Sequence, residues 1–385
     1  MAVLCTNCSG KLIFNPATQK LECVSCGSRF APEDVEDKNA ELHSKYYDTR
    51  VYTCSHCGAE VVTSDTEVST FCVYCGNPAI VFNRIAKELR PDGLIPFKIT
   101  KEEAVGIIKS RFFKNIMVPN EVKLKATTGN LRGIYVPYWV VNADFTDATV
   151  IKGEVKKGKH TYTEYYSRAG DVQFKNLPVD GSKTLNDDIS AKLEPFYLED
   201  SKAFDEDYLN GFYSNVSDLN YFDLKASAAN RCHNMFVEEV MAPIKAKNKK
   251  VDGYIYWIDI HDDPIYMMMP VWFFTFMYRN KPYTILINGQ TGKLVGTMPW
   301  IKKRIVLIGL GIFVALLAVT FGLFFGGFMH QIYATVMLSP YVLGAIITLG
   351  AAGLGKGISG IKKVWDNLKL TQSEDIFKFV KRRQE

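Results

Sequence analysis

The apolar stretch 134–145 is a strong strand candidate, and segments of alternating apolar and polar positions continue from it to about residue 174. Apolar, aromatic-rich strand patterns return over 253–260, 267–278, 283–287 and 294–297, and each stretch predicts a strand. A short apolar strand, Gly93-Leu-Ile-Pro-Phe97, precedes Thr100-Lys-Glu-Glu103, whose hydroxyl and carboxylate can each satisfy a free amide at a helix start. Ala104, Ile107, Ile108 and Phe112 then fall on one helical face. Helical patterns also mark 187–193, 204–213 and 219–241. Strands, then helices, then strands again predict an α+β soluble domain with antiparallel sheet over 90–298. Within it, Tyr135-Val-Pro137-Tyr-Trp139 echoes Met268-Met-Pro270-Val-Trp272. Two related halves and two ordinary core strands are both readings of that echo. Proline on a strand predicts an edge or entry position. The glycines of Asn288-Gly-Gln-Thr-Gly292 suit a turn between strands, not a phosphate loop, which needs a strand–helix setting.

The two ends of the chain depart from this pattern in opposite ways. Residues 1–80 offer too few apolar positions for a core, yet they hold eight of the nine cysteines. Cys5-x-x-Cys8 and Cys23-x-x-Cys26 are separated by fourteen residues, and so are Cys54-x-x-Cys57 and Cys72-x-x-Cys75. Each knuckle puts two thiolates on one side of a tight turn, and two knuckles complete a tetrahedral shell of four cysteines. The spacing predicts two small β zinc ribbons, 1–30 and 51–80, joined by an acidic linker, 31–50. Cys5, Cys8, Cys23 and Cys26 would hold one structural Zn2+, and Cys54, Cys57, Cys72 and Cys75 a second. Rubredoxin-type iron and a disulfide framework are the alternatives. Gly follows Cys26, Cys57 and Cys75, where the backbone must turn sharply. Metal binding, worth about 10–16 kcal/mol apparent in small zinc peptides, would supply the folding energy.

At the other end, neither 305–329 nor 331–355 contains a charged residue, and each exceeds the ~20 residues that cross ~30 Å of hydrocarbon. They predict a two-helix transmembrane hairpin over 303–355, followed by a basic amphipathic tail over 356–385. Lys302-Lys-Arg304 before the first span and Lys356, Lys362 and Lys363 after the second place both ends in the cytoplasm. Reduced thiols need that compartment too, and Cys5 arrives before any apolar run, so no signal peptide is expected. The expected localisation is therefore a multi-pass cell-membrane protein with its N-terminal domains and tail in the cytoplasm.

Charge then weighs on function. Residues 1–77 carry six Lys and Arg against ten Asp and Glu, and residues 356–385 carry eight against four. The second ribbon has no Lys or Arg, whereas nucleic-acid binding depends on cations that neutralise phosphates. Protein contact is the expected role of the ribbons. No catalytic or cofactor-binding constellation emerges. His261-Asp262-Asp263 reads as a polar turn before Pro264, and His43, His160 and His233 have no partner at diagnostic spacing. Cys232 reads as a buried small hydrophobe, Asp205-Glu-Asp207 as a solvated helix start, and His56 sits in a knuckle whose metal is already saturated.

The tandem four-cysteine ribbons, Leu94-Ile-Pro-Phe-Lys-Ile-Thr-Lys-Glu-Glu-Ala, Gly133-Ile-Tyr-Val-Pro-Tyr-Trp and Asn288-Gly-Gln-Thr-Gly-Lys together resemble the YdjG-type zinc-ribbon membrane proteins of bacteria. Such proteins are often labelled transcription-factor-type ribbons or primosomal helicases, but no Walker A sequence is present here. The resemblance implies a place in membrane-stress assemblies, with an SPFH-domain zinc-ribbon protein and a phage-shock-protein-A-like protein as partners. The function expected is a non-enzymatic, membrane-anchored scaffold that recruits cytosolic proteins to the inner membrane surface. A membrane-tethered nucleic-acid regulator and a membrane enzyme using the α+β domain are the alternatives.

Overall fold

The computed structural model describes residues 4–35, 45–56, 58, 60–63, 72, 80–115, 117–182, 187–279, 281–296, 298–299, 301 and 304. At the N-terminus, β1 (Leu12–Asn15), β2 (Lys20–Cys23) and β3 (Arg29–Phe30) form a small antiparallel sheet of their own. Next come β4 (Tyr46–Cys54), β5 (Glu60–Thr63) and β6 (Ile80–Leu89), with β4 antiparallel to both neighbours. These three strands belong to the large eleven-stranded sheet that organises the rest of the molecule.

That sheet is built from two similar runs of elements. The first is β7 (Gly93–Leu94), α1 (Lys101–Phe112), the short α2 (Asn120–Leu124), β8 (Leu131–Lys157) and β9 (His160–Asp180). After α3 (Asp187–Leu193) and β10 (Lys202–Ala203) comes the second: β11 (Tyr213–Ser214), α4 (Tyr221–Met241), β12 (Lys247–Tyr278) and β13 (Lys281–Asn288), with β14 (Leu294–Val295) on its outer edge. In each run a short strand leads to a side-chain-capped helix, Thr100 accepting from the Glu103 amide and Asn220 from the Asp223 amide. A long strand follows the helix, and a returning strand pairs with it.

The two runs interlock. β8 and β12 pair antiparallel, with Val136 opposite Met269 and the prolines symmetric about that pair: Pro137 faces Met268 and Pro270 faces Tyr135. Each short strand lies parallel to the long strand of the other run, β7 on Met267–Met268 and β11 on Ile134–Tyr135. The indole of Trp139 donates to the Ser217 hydroxyl and that of Trp272 to the Ile99 carbonyl, each reaching the loop ahead of the opposite helix. The echo seen in the sequence is thus a local pseudo-two-fold axis.

The prolines lie in central strands, not at an edge. Pro137 falls between the end of the β11 ladder and the start of the β9 ladder, and Pro270 falls between those of β7 and β13. Neither position has a ladder partner to be denied an N–H on that flank. Each proline carbonyl instead accepts from a glycine, Gly181 at 2.9 Å and Gly289 at 2.8 Å.

The main core gathers where the runs meet. Phe97 stacks on Phe212 with ring centroids 4.3 Å apart and lies 4.9 Å from the Trp272 ring. Leu12, Phe14 and Leu21 of the first ribbon belong to the same buried cluster, and Phe14 lies 5.0 Å from Tyr208. The helix expected over 204–213 is only a 3₁₀ turn, Glu206–Leu209, because Gly211 leaves the helical region at φ +92° and the chain runs straight into β11. Asp207 is buried and accepts from the Asn210 side chain, so it is not the solvated acid expected.

The expected transmembrane hairpin over 303–355 is not borne out. Among the described residues no helix is long and apolar enough to cross a membrane, and both apolar stretches lie outside them. The longest described helix, α4, is amphipathic: Leu224, Ala228, Ala229, Cys232 and Phe236 are buried while Lys225, Glu238 and Glu239 are not. The multi-pass localisation and the membrane anchor of the scaffold are withdrawn with the hairpin. The tail at 356–385 also lies outside the described residues.

Candidate metal centre

The first ribbon brings four cysteines together. The sulfurs of Cys5, Cys8, Cys23 and Cys26 all lie within 4.8 Å of one another, close enough to share a metal ion. Cys5 Sγ and Cys26 Sγ are 3.6 Å apart, and Cys8 Sγ and Cys23 Sγ are 3.5 Å apart. Cys5 and Cys23 are buried against the body, while Cys8 and Cys26 face out.

Local backbone chemistry sets this geometry. In the first knuckle the Ser9 amide returns to the Cys5 carbonyl at 2.7 Å, with Ser9 at φ +55°. In the second the Gly27 amide returns to the Cys23 carbonyl at 2.9 Å, with Gly27 at φ +72°. The left-handed residue closes the turn, and glycine takes that conformation without a steric penalty. The knuckles are also tied across the site, since the Cys5 amide donates to the Gly10 carbonyl and the Val24 amide to the Lys11 carbonyl. Gly10 is packed so closely that a Cβ there would lie 2.9 Å from Cys23 Sγ and 2.7 Å from Ser25 Oγ.

Hydrogen bonds tune the sulfurs. The Ser28 hydroxyl lies 3.1 Å from Cys26 Sγ and itself accepts from the Asn7 amide side chain at 2.9 Å. Donation from that hydroxyl and from the Ser28 backbone amide lowers the Cys26 pKa to about 6. The Cys26 and Ser25 amides lower that of Cys23. Cys8 is pushed the other way, to about 12, chiefly because its thiol proton is shared with the Cys26 sulfur. Cys26 is thereby favoured as a thiolate near neutral pH, and a cation would displace the proton that Cys8 retains.

The second cysteine set is described in part. Cys54 opens a knuckle that repeats the first two: the Gly58 amide returns to the Cys54 carbonyl at 2.8 Å and Gly58 sits at φ +72°. Cys54 and Cys72 are both buried in one apolar cluster with Ile95, Ile134 and Tyr213. Cys57 and Cys75 lie outside the described residues. β5 of this region pairs with β11, so the second cysteine unit is stitched into the main sheet. The first forms its own sheet and docks through side chains and a main-chain bond from the Phe14 amide to the Asn210 carbonyl.

Other titratable groups serve the fold. His233 on α4 meets the buried Asp147 at 2.5 Å, and Asp147 also accepts from Thr149 at 2.9 Å. Nothing in the sequence spacing marks that pair, because it joins a helix to a strand 86 residues away. His261 pairs with Asp144 at 2.6 Å across a break in the β8–β12 register, where Asp262 has φ +58°. Cys232 is fully buried, and burial pushes its thiol up to about 12. Ser28 and Asn7, by contrast, belong to the metal centre and were legible in principle, as polar residues within two positions of a cysteine.

No protein-family model matches the chain, and no solved structure matches it. The chain is similar to "Uncharacterized protein YdjG" of Bacillus subtilis (strain 168), 26% identical over 314 residues that cover 78% of this chain and 91% of that protein.

Proposed function

We propose that the chain is a non-enzymatic protein scaffold in which structural zinc locks the first ribbon as a rigid lobe on the pseudo-symmetric body. The sulfur spacing carries this reading. A tetrahedral zinc with Zn–S bonds of ~2.3 Å separates its sulfurs by about 3.8 Å, and two pairs here stand at 3.5 and 3.6 Å. Four thiolates leave no open position for a substrate, so the metal would hold shape and perform no chemistry. A second zinc is proposed at Cys54, Cys57, Cys72 and Cys75 on the strength of the repeated spacing and the third knuckle turn.

A cleft of about 820 Å3 separates the ribbon from the body. Ile13, Val24 and Trp272 give its walls apolar surface, while Glu22, Lys101 and Arg132 supply charge of both signs. Such mixed lining suits a protein segment better than a phosphate backbone, which would call for one sign of charge. By resemblance, an SPFH-domain zinc-ribbon protein and a phage-shock-protein-A-like protein are the partners proposed.

Elemental analysis of the full-length chain, combined with affinity purification against those two partners, tests the reading. Two zinc ions per chain are expected, falling to one in Cys5→Ser, with partner recovery lost in the same variant. Iron in place of zinc, or recovery indifferent to Cys5→Ser, would sink it. Salt-sensitive retention of nucleic acid in place of a protein would favour the regulator instead.

A further inference from the structure

Past the Ala143–Ile260 pair, over 143–157 of β8 and 247–260 of β12, the sheet narrows to three strands, β12, β8 and β9, and its two outer edges are built differently. β9 pairs with β8 in unbroken register from Lys157–His160 to Ala143–Phe174. Among the described residues nothing pairs with its other side. An exposed strand edge invites another strand unless it is blocked by lysines, prolines or bulges. The β12 edge is blocked in all three ways. It carries Lys247, Lys249, Lys250 and Pro264, and its register shifts three times between Lys247 and Ile265. From His160 to Phe174, β9 has no proline and no lysine.

We infer that the β9 edge is an interface for a second copy of this chain, paired antiparallel about Tyr166. In that register Glu164 stands opposite Arg168 of the second copy, twice over by symmetry. Among the described residues Arg168 makes no ion pair, and its guanidinium donates to the Ser167 carbonyl. Glu164 pairs with Lys157 at 2.8 Å and accepts from the Tyr166 hydroxyl, so Arg168 of the second copy would join a carboxylate already held in place. Size is complementary as well: Tyr165 meets Ser167, Tyr162 meets Gly170 and Thr163 meets Ala169. Tyr165 and Tyr162 are 63% and 50% exposed in the single chain, as expected of side chains that await a neighbour. The product is a continuous six-stranded sheet with its two-fold between the copies.

Directly opposed residues of an antiparallel pair have Cα atoms about 4.5–5.5 Å apart, within disulfide reach. Full-length Tyr166→Cys should therefore cross-link to itself under mild oxidation, while wild type and Tyr254→Cys should not. Adding Glu164→Arg or Arg168→Glu to Tyr166→Cys should weaken association about tenfold, through two repulsive cross-strand pairs. Adding both should restore it, which also shows that the swapped strand folds. A chain that sediments as a monomer, or cross-linking that the single swaps leave intact or the double swap fails to recover, overturns the interface.

Discussion

The ribbon at residues 4–35 and the body beyond residue 90 reach order by opposite means. The body has a dense apolar core in which Phe97, Phe212, Tyr135 and Trp272 pack ring against ring. The ribbon contributes Leu12, Phe14 and Leu21 to that core from one end of its hairpin, and its other end is four cysteines and a set of turns. Hydrophobic burial fixes where the ribbon sits. At the far end only Cys5 and Cys23 are buried and the knuckles are held by backbone turns, so a cation shared by the four sulfurs would supply what burial does not.

Metal removal should expose this contrast most sharply. Apparent binding energies of about 10–16 kcal/mol mean that chelation, or Cys5→Ser with Cys23→Ser, should release the knuckles outright. Hydrogen exchange should accelerate at the Cys5, Ser9, Cys23 and Gly27 amides, all of which close knuckle turns. Amides of β8 and β12 should keep their protection. Loss of protection in both regions together would show that the body depends on the metal as well.

The reverse experiment strikes the body. Trp272 is 4% exposed and hydrogen-bonded to Ile99, so Trp272→Ala should cost about 3–5 kcal/mol of global stability, read from the denaturant midpoint. The metal content should not change. Trp139, its pseudo-symmetric counterpart, is only half-buried, and its truncation should cost less. Equal losses would mean that the two runs bear the load evenly despite their different surroundings.

Gly10 tests the boundary between the two regimes. A methyl group there meets Ser25 and Cys23 Sγ at under 3 Å, so Gly10→Ala must displace a knuckle. An overpacking cost of about 1–3 kcal/mol is expected, confined to the metal-loaded ribbon and visible as weaker metal retention against a chelator. Unaltered retention would show that the Ser25 turn yields freely.

The contrast also explains what the sequence made legible. The cysteine spacing announced the first metal centre because its ligands are local: each pair lies within one turn, and the two pairs are joined by one hairpin. The Thr100–Glu103 capping box and α4 were legible for the same reason. Strands β8 and β12 were seen only as fragments, with Pro264 in the gap between 253–260 and 267–278. Pro137 and Pro270 were read as edge or entry positions, when the gaps that tolerate them in central strands are set by distant β7, β11 and β13. The interlock of the two runs, and the His233–Asp147 pair, depend on contacts between residues far apart in the chain. The charge-free stretches after residue 304 invited a membrane reading that no described helix supports.

The smallest effect separates the four ligands from one another. The Ser28 hydroxyl holds the Cys26 pKa near 6, so in metal-free protein Cys26 is largely thiolate at pH 7 while Cys8, near 12, is not. Both sulfurs are exposed, so iodoacetamide should label Cys26 first, with a midpoint near pH 6. Ser28→Ala should move that midpoint up toward the ordinary thiol value and weaken metal binding by about 10–100-fold. A depressed thiol pKa favours the folded ribbon fully above the unfolded value near 9, and that contribution fades as the pH falls through 6. The raised Cys8 acts in the opposite sense: its contribution is complete below 9 and lost as the pH climbs through 12. Metal-free knuckles should therefore loosen toward both extremes, whereas the loaded site, which needs all four thiolates, should fail only on the acid side. Equal labelling of Cys8 and Cys26 at pH 7 would show that Ser28 packs beside the sulfur without tuning it.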